Sequence, residues 1–181
     1  MTADGLIFHP VDAARWPDFE RLFESRGGPK YCWCMVWRAT PQEVKLDGAG
    51  RKAALHAKVR DGVPIGILGY RDGEPVAWCS IAPRETYRPL GGPQDEDRVW
   101  SLACMFIPRR LRGRGLADRL IMAAVEHARA QGATAVEAYP VDPDSPSYRF
   151  MGFVDLFLRA GFTEIGRAGT RRHVMRLAVA E

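Results

Sequence analysis

Two glycines and three arginines crowd into Arg110-Leu111-Arg112-Gly113-Arg114-Gly115-Leu116, where one sequence pattern gives way to another. Upstream, Val99 to Ile107 (VWSLACMFI) is apolar and rich in strand formers, as a buried strand requires. Downstream, Leu116 to Gln131 repeats its apolar residues at helical spacing and stops before Gly132, a helix with its terminator. A strand that enters a helix through glycines lets backbone N–H groups approach a ligand closely. The helix N-terminus behind them carries unpaired donors and partial positive charge. Together they cradle a phosphate or pyrophosphate, to which arginines add charge-assisted bonds.

The dinucleotide fingerprint G-x-G-x-x-G does not fit, because Asp118 stands where its third glycine belongs. The Walker sequence G-K-[ST] does not occur. The segment resembles motif A of the GNAT superfamily of acetyl-CoA-dependent N-acetyltransferases, [QR]-x-x-G-x-[GA], with Arg110, Gly113 and Gly115 at its fixed positions. Further on, Leu156-Phe157-Leu158-Arg159-Ala160-Gly161-Phe162 resembles the end of motif B in that superfamily, L-Y-x-[KR]-x-G-F. Together the two motifs cover roughly the C-terminal half of the chain.

The resemblance implies an α/β (α+β) fold, with a mixed, mostly antiparallel sheet flanked by helices and its fourth and fifth strands splayed. It implies one domain over residues 1–181, and acetyl-CoA as co-substrate. Backbone N–H groups from Arg112 to Leu116, with Gly113, Arg114 and Gly115 between them, are expected to meet the pyrophosphate. Arg110 and Arg112 add side-chain contacts, and Phe106 and Ile107 pair with the pantetheine arm like an added strand.

The rest of the chain follows the same order. Leu6-Ile7-Phe8 reads as a first strand, and Trp16, Phe19, Leu22 and Phe23 follow at helical spacing. A second helix is expected from Pro41 to about Val59, interrupted near Gly48 and Gly50, with Leu55, His56 and Val59 inward. Pro64–Tyr70 and Glu74–Ile81 flank Arg71-Asp72-Gly73, a hairpin signal. Arg84 to Asp97 is a Pro- and Gly-rich loop. Ala135–Tyr139 reads as a strand, Gly152 to Ala160 as a short helix, and Phe162–Ile165 and His173–Val179 as closing strands.

The composition, 46% hydrophobic and 27% charged, is that of a globular protein. No apolar run reaches the ~18 residues of a membrane span, and the first residues lack a signal-peptide pattern, so a cytoplasmic location is expected. A net charge of +4 suits an anionic cofactor. The arginines clustered from Arg109 to Arg119 would also suit nucleic acid. No nucleic-acid-binding motif accompanies them, so no nucleic-acid or membrane partner is expected. Cys32, Cys34, Cys79 and Cys104 lie in apolar surroundings without zinc spacing; reduced thiols and no metal are expected.

The resemblance implies direct attack of an amine on the acetyl thioester in a ternary complex. Phe157 stands where many superfamily members carry a tyrosine acid, and Phe150 where motif B commonly carries asparagine. Tyr148 is a candidate replacement acid, or a loop tyrosine packing its ring. Glu137, inside an apolar strand, is either a base facing a wet cleft, a paired carboxylate, or on an exposed face. Cys104, read on the same strand face as Leu102 and Phe106, lines the acetyl site, accepts a transient acetyl group, or is a small core residue. Tyr31 to Trp37 is dense in aromatics and thiols. Cys32, Trp33, Cys34 and Trp37, joined by Trp78, form either an acceptor pocket or a hydrophobic cluster pinning the helices to the sheet. The acceptor is a small-molecule or peptide amine, and a homodimer is compatible with the chain. An acyl-CoA sensor with weak or absent chemistry is the alternative that Phe157 raises.

Overall fold

A computed structural model of the protein describes residues 5–95 and 97–179. Its elements come in the expected order. Strand β1 (Leu6–Pro10) is followed by helices α1 (Trp16–Glu24) and α2 (Gly48–Arg60), then strands β2 (Ile67–Arg71), β3 (Glu74–Pro83) and β4 (Val99–Phe106). Helix α3 (Leu116–Ala130), strand β5 (Ala135–Ala138), helix α4 (Val154–Arg159) and strands β6 (Thr163–Ala168) and β7 (Arg172–Ala178) complete it. The seven strands form one sheet in the order β1-β2-β3-β4-β5-β7-β6. Only β4 and β5 run parallel, and α3 is their crossover connection.

Local chemistry explains the boundaries. The four periodic residues of α1, Trp16, Phe19, Leu22 and Phe23, are its buried ones. The second helix starts later than expected. Asp47 leaves the helical conformation, with ψ −177°, and its side chain accepts from Gly50 N at 2.8 Å, a helix cap. Before it, Glu43–Lys45 makes only a single 3₁₀ turn. Leu55 and Val59 are buried, while His56 stacks on Trp16 at 4.4 Å. The β2–β3 turn holds Asp72 and Gly73 at φ +52° and +78°, the left-handed pair that a tight hairpin needs.

Two features of β4 position the site. First, its pairing with β5 ends at Leu102–Ala138. From Ala103 onward no strand pairs with that edge among the described residues, and the two chains part. Second, β4 carries a bulge. Ser80 faces Cys104 and Ile81 faces Leu102, so Ala103 is an extra residue. Trp100, Leu102 and Met105 therefore pack toward α3, whereas Ala103, Cys104 and Phe106 lie on the opposite face. This corrects the simple alternation that put Cys104 on the face of Leu102: the bulge moves every later side chain to the other side.

The core has three parts. The largest lies between the sheet and helices α3 and α4. A second, aromatic cluster joins α1, α2 and the Trp33–Met35 segment to β2 and β3. A third sits under the Arg84–Leu90 loop, around Tyr139 and Met151.

Candidate active site: a cleft from the glycine loop to a buried arginine

A cleft of about 750 Å³ runs from the N-terminus of α3 to the parting of β4 and β5. One wall is the open edge of β4, Ala103 to Ile107. The facing wall comes from Gly152, Phe153, Leu156 and Arg159, and Tyr31, Trp37, Arg149 and Phe150 also line it.

At the glycine loop, Gly113 and Gly115 adopt φ +76° and +70°, which glycine alone reaches without strain. A Cβ at either would find no protein atom within 4 Å, so the space beside the loop is open to a ligand. Gly115 caps α3, and Arg112, Gly113, Gly115, Leu116, Ala117 and Asp118 line the cleft. The Arg112 side chain donates from Nε to Ile107 O at 2.9 Å and braces the loop against the end of β4. Arg110 and Arg114 do not line the cleft. The pattern [QR]-x-x-G-x-[GA] fits a second register, Arg112-x-x-Gly115-x-Ala117, and this is the register laid along the cleft. Open backbone, a helix N-terminus and nearby arginines fit a pyrophosphate.

The expected catalytic residues are spread out. Glu137 is fully buried and does not line the cleft. Its carboxylate accepts from Tyr139 Oη at 2.9 Å and from Arg176 Nε at 3.1 Å and Nη2, with Arg84 Nη1 at 3.8 Å. Arg176 also binds Asp95 and Asp97. Of the three roles open to Glu137, the structure places it in the paired one. Tyr148, at φ +59°, stands outside the cleft lining, 6.3 Å from the Trp37 ring and with the Arg172 guanidinium 5.3 Å from its own ring. Cys104 does line the cleft. Phe157 is fully buried against Phe162, at 5.3 Å, and is a core residue.

The aromatic segment divides. Cys32, Cys34 and Trp37 line the cleft; Trp33 and Trp78 do not. Trp33 stacks on Phe23 at 5.4 Å, and Trp78 meets Phe19 edge-on at 4.8 Å. The two readings of this segment thus apply to different residues: Trp33 and Trp78 pin the helices to the sheet, and the other three face the cleft.

Sequence reasoning missed Arg38. It is 5% exposed, lines the cleft, and has no carboxylate among its partners. Nη1 donates to Cys34 O at 3.0 Å and Cys34 Sγ at 3.3 Å. Nη2 meets Ile65 O at 2.6 Å, Ser80 Oγ at 2.8 Å and Tyr87 Oη at 2.9 Å, while Nε is buried without a partner. Its guanidinium also lies over the Tyr87 ring at 4.6 Å. The neighbouring Cys104 thiol, and then the charge of Arg38, outweigh burial and pull the Cys34 thiol down to about 6. Cys34 in turn, with burial, pushes Cys104 well up. Only the chemical oddity of an arginine inside an aromatic, thiol-rich segment could have flagged it.

Residues 15–153 match the Acetyltransferase (GNAT) family. The chain belongs to this family. Among curated relatives it is 29% identical, over 97 residues, to an L-methionine sulfoximine/L-methionine sulfone acetyltransferase of Pseudomonas paraeruginosa. That match covers 54% of this chain and 50% of the relative, so the chain spans about half the length of the curated relatives it matches. Two solved structures share the fold. One is the yncA acetyltransferase of Salmonella typhimurium with acetyl-CoA (TM-score 0.58, 14% identity, 98% and 95% of the two chains covered). The other is an uncharacterized protein of Bacillus halodurans (TM-score 0.63, 14% identity, 96% and 83% covered). The mixed sheet and the β4–β5 parting are thus the GNAT architecture, and no helix among the described residues is long and apolar enough to cross a membrane.

Proposed function

We propose that this GNAT protein is an N-acetyltransferase that moves the acetyl group of acetyl-CoA to a primary amine of a small molecule or peptide, by direct attack in a ternary complex. One observation carries the reading: a single cleft joins the glycine loop at α3 to the open edge of β4. Backbone N–H groups around Gly113 to Leu116 bind the pyrophosphate, with Arg112 and the helix terminus supplying positive charge. The edge from Phe106 and Ile107 back toward Cys104 takes the pantetheine arm as an added strand. Acetyl-CoA supplies the activated acetyl thioester, held with the amine at high effective concentration. Tyr31, Cys32, Trp37 and Phe150 border the acceptor's entrance. The Pseudomonas relative's name makes amino-acid amines the first acceptors to try.

Calorimetric titration with acetyl-CoA, coenzyme A and ATP tests the cofactor assignment. Selective binding of the two coenzyme A compounds is expected; equal binding of ATP, or no binding by folded protein, overturns it. The buried Phe157 and the paired Glu137 favour one rival, an acyl-CoA-binding domain without transfer. Binding without coenzyme A release across a panel of primary amines would select that rival.

A further inference from the structure

Within the acetyl transfer reading, the expected proton-moving positions are not filled: Glu137 is held by arginines, Phe157 has no proton to give, and Tyr148 stands outside the cleft lining. The cleft nevertheless contains a buried cation, Arg38, with no carboxylate partner among the described residues, and a sulfur in contact with it. Arg38 is saturated at its terminal nitrogens by neutral acceptors and Cys34 Sγ. A buried guanidinium that lacks an anion is costly. Ionisation of Cys34 would supply that anion.

The place matters as much as the charge. The pantetheine arm, running from the glycine loop along Ile107 and Phe106, reaches Cys104 where β5 leaves the sheet. Cys34 and Cys104 both line the cleft there. Residues Trp33 and Cys34 adopt φ +48° and +58°, a conformation that costs non-glycine residues of order 1 kcal/mol or more each. It persists where the surroundings impose it, and here it keeps Cys34 on the cleft wall while Trp33 goes into the core.

We propose that Cys34, whose sulfur accepts from the buried Arg38 guanidinium, is the base that takes the proton from the acceptor's ammonium and returns it to the departing coenzyme A sulfur. The ammonium N–H bond breaks and an S–H bond forms on Cys34. The neutral amine then attacks. When the thioester C–S bond breaks, the proton on Cys34 passes to the leaving thiolate and the Cys34 thiolate is restored. The second proton of the new amide nitrogen leaves to water, and nothing is oxidised or reduced. Arg38 is a positioning residue. The groups that face Cys34 agree with the assignment. Cys79 and Cys32 are pushed up by burial, and Cys104 by Cys34 beside it and by burial. Tyr87 is also raised, chiefly by burial. These four stay protonated where Cys34 is charged.

The test begins without any acceptor. Thiolate ultraviolet absorbance, followed against pH, should show one thiolate forming below neutrality in the wild-type protein. Cys34→Ala should abolish it. Cys104→Ala, a small change at a half-buried site, should move it upward while leaving it below the free-thiol range. A wild-type protein with no thiolate below about pH 8 overturns the proposal, because Cys34 would then be neutral at working pH. Coenzyme A release with primary amines supplies the second readout. Cys34→Ala and Cys34→Ser should lose at least ~10²-fold in kcat, the usual size of an acid–base contribution, with KM for acetyl-CoA little changed and the acidic limb of the pH profile gone. Unchanged kcat in both variants overturns the base role. So does an acetyl group found by mass spectrometry on Cys34 after incubation with acetyl-CoA alone, which would make the sulfur a nucleophile. A normal thiolate titration with no turnover on any amine refutes acetyl transfer itself, and this role with it.

Discussion

Replacing Glu137 by glutamine separates a structural carboxylate from a catalytic one. The side chain is fully buried, and Arg176 binds it through two nitrogens while also holding Asp95 and Asp97. Glutamine keeps an oxygen for one of these donors, and Arg176 keeps two carboxylates, so no bare charge is left. The loss is confined to charge-assisted hydrogen bonds, worth about 1.5–3 kcal/mol each when made to an ion. Partial replacement by the amide oxygen leaves a net cost of roughly 2–3 kcal/mol. At about 2–4 °C per kcal/mol for a chain of this size, Tm should fall by roughly 4–12 °C. Calorimetric melting and acetyl-CoA titration on the same preparation check both halves, with acetyl-CoA affinity and kcat remaining within about three-fold of wild type. The opposite pattern, an unchanged Tm with kcat reduced by ~10²-fold or more, would refute the structural assignment and restore Glu137 as a base.

Gly115→Val should weaken acetyl-CoA at least ~10-fold by calorimetry, because its branched side chain must occupy the open cradle at φ +70°. Trp33→Ala should destabilise by about 3–5 kcal/mol in urea unfolding, as removal of a large buried aromatic does. Asp95 supplies a pH test: burial raises its pKa, but hydrogen bonds from Arg176 and Arg84 prevail and hold it below 3.8. Its stabilising contribution is therefore present above about pH 4 and lost as pH falls through the depressed value. Wild type should lose more stability than Asp95→Asn between about pH 6 and pH 3 in parallel urea titrations.

What the sequence could reveal depended on how strongly periodicity and chain punctuation specify each element. Helix α1 was legible residue by residue because four large apolar side chains at helical spacing have one way to be buried together. The β2–β3 hairpin was legible because Asp72-Gly73 occupies a conformation few residue pairs tolerate. The glycine loop was located, but its alignment was not: Arg-x-Arg-Gly-x-Gly-x-Ala contains the motif spacing twice, two residues apart, and only the start of α3 at Leu116 decides between them. The bulge at Ala103 was invisible because alanine fits either a paired or an unpaired strand position. Arg38 was invisible for a different reason. Hydropathy assigns arginine to the surface, and nothing in a run without a period announces that Cys34, Ile65, Ser80 and Tyr87 converge on one guanidinium. Glu137 in β5 and Tyr139 just past its end sit two apart, but the arginines Arg84 and Arg176 that meet Glu137 come from distant positions.

The extra residue in β4 sets what kinds of change this strand can survive. Before Ala103 its inward side chains serve the α3 interface; after it they serve the cleft. Exchanging one small side chain for another at Ala103 alters one contact. Removing that residue would close the bulge and leave Cys104, Met105 and Phe106 on their present faces, because Ser80 already faces Cys104 and Ile81 faces Leu102. Descendants of this sequence are therefore free to vary the Arg84–Asp97 loop in length and to drop the extra residue at Ala103 without turning the strand over. Aligned relatives that keep this cleft can carry a one-residue gap at Ala103.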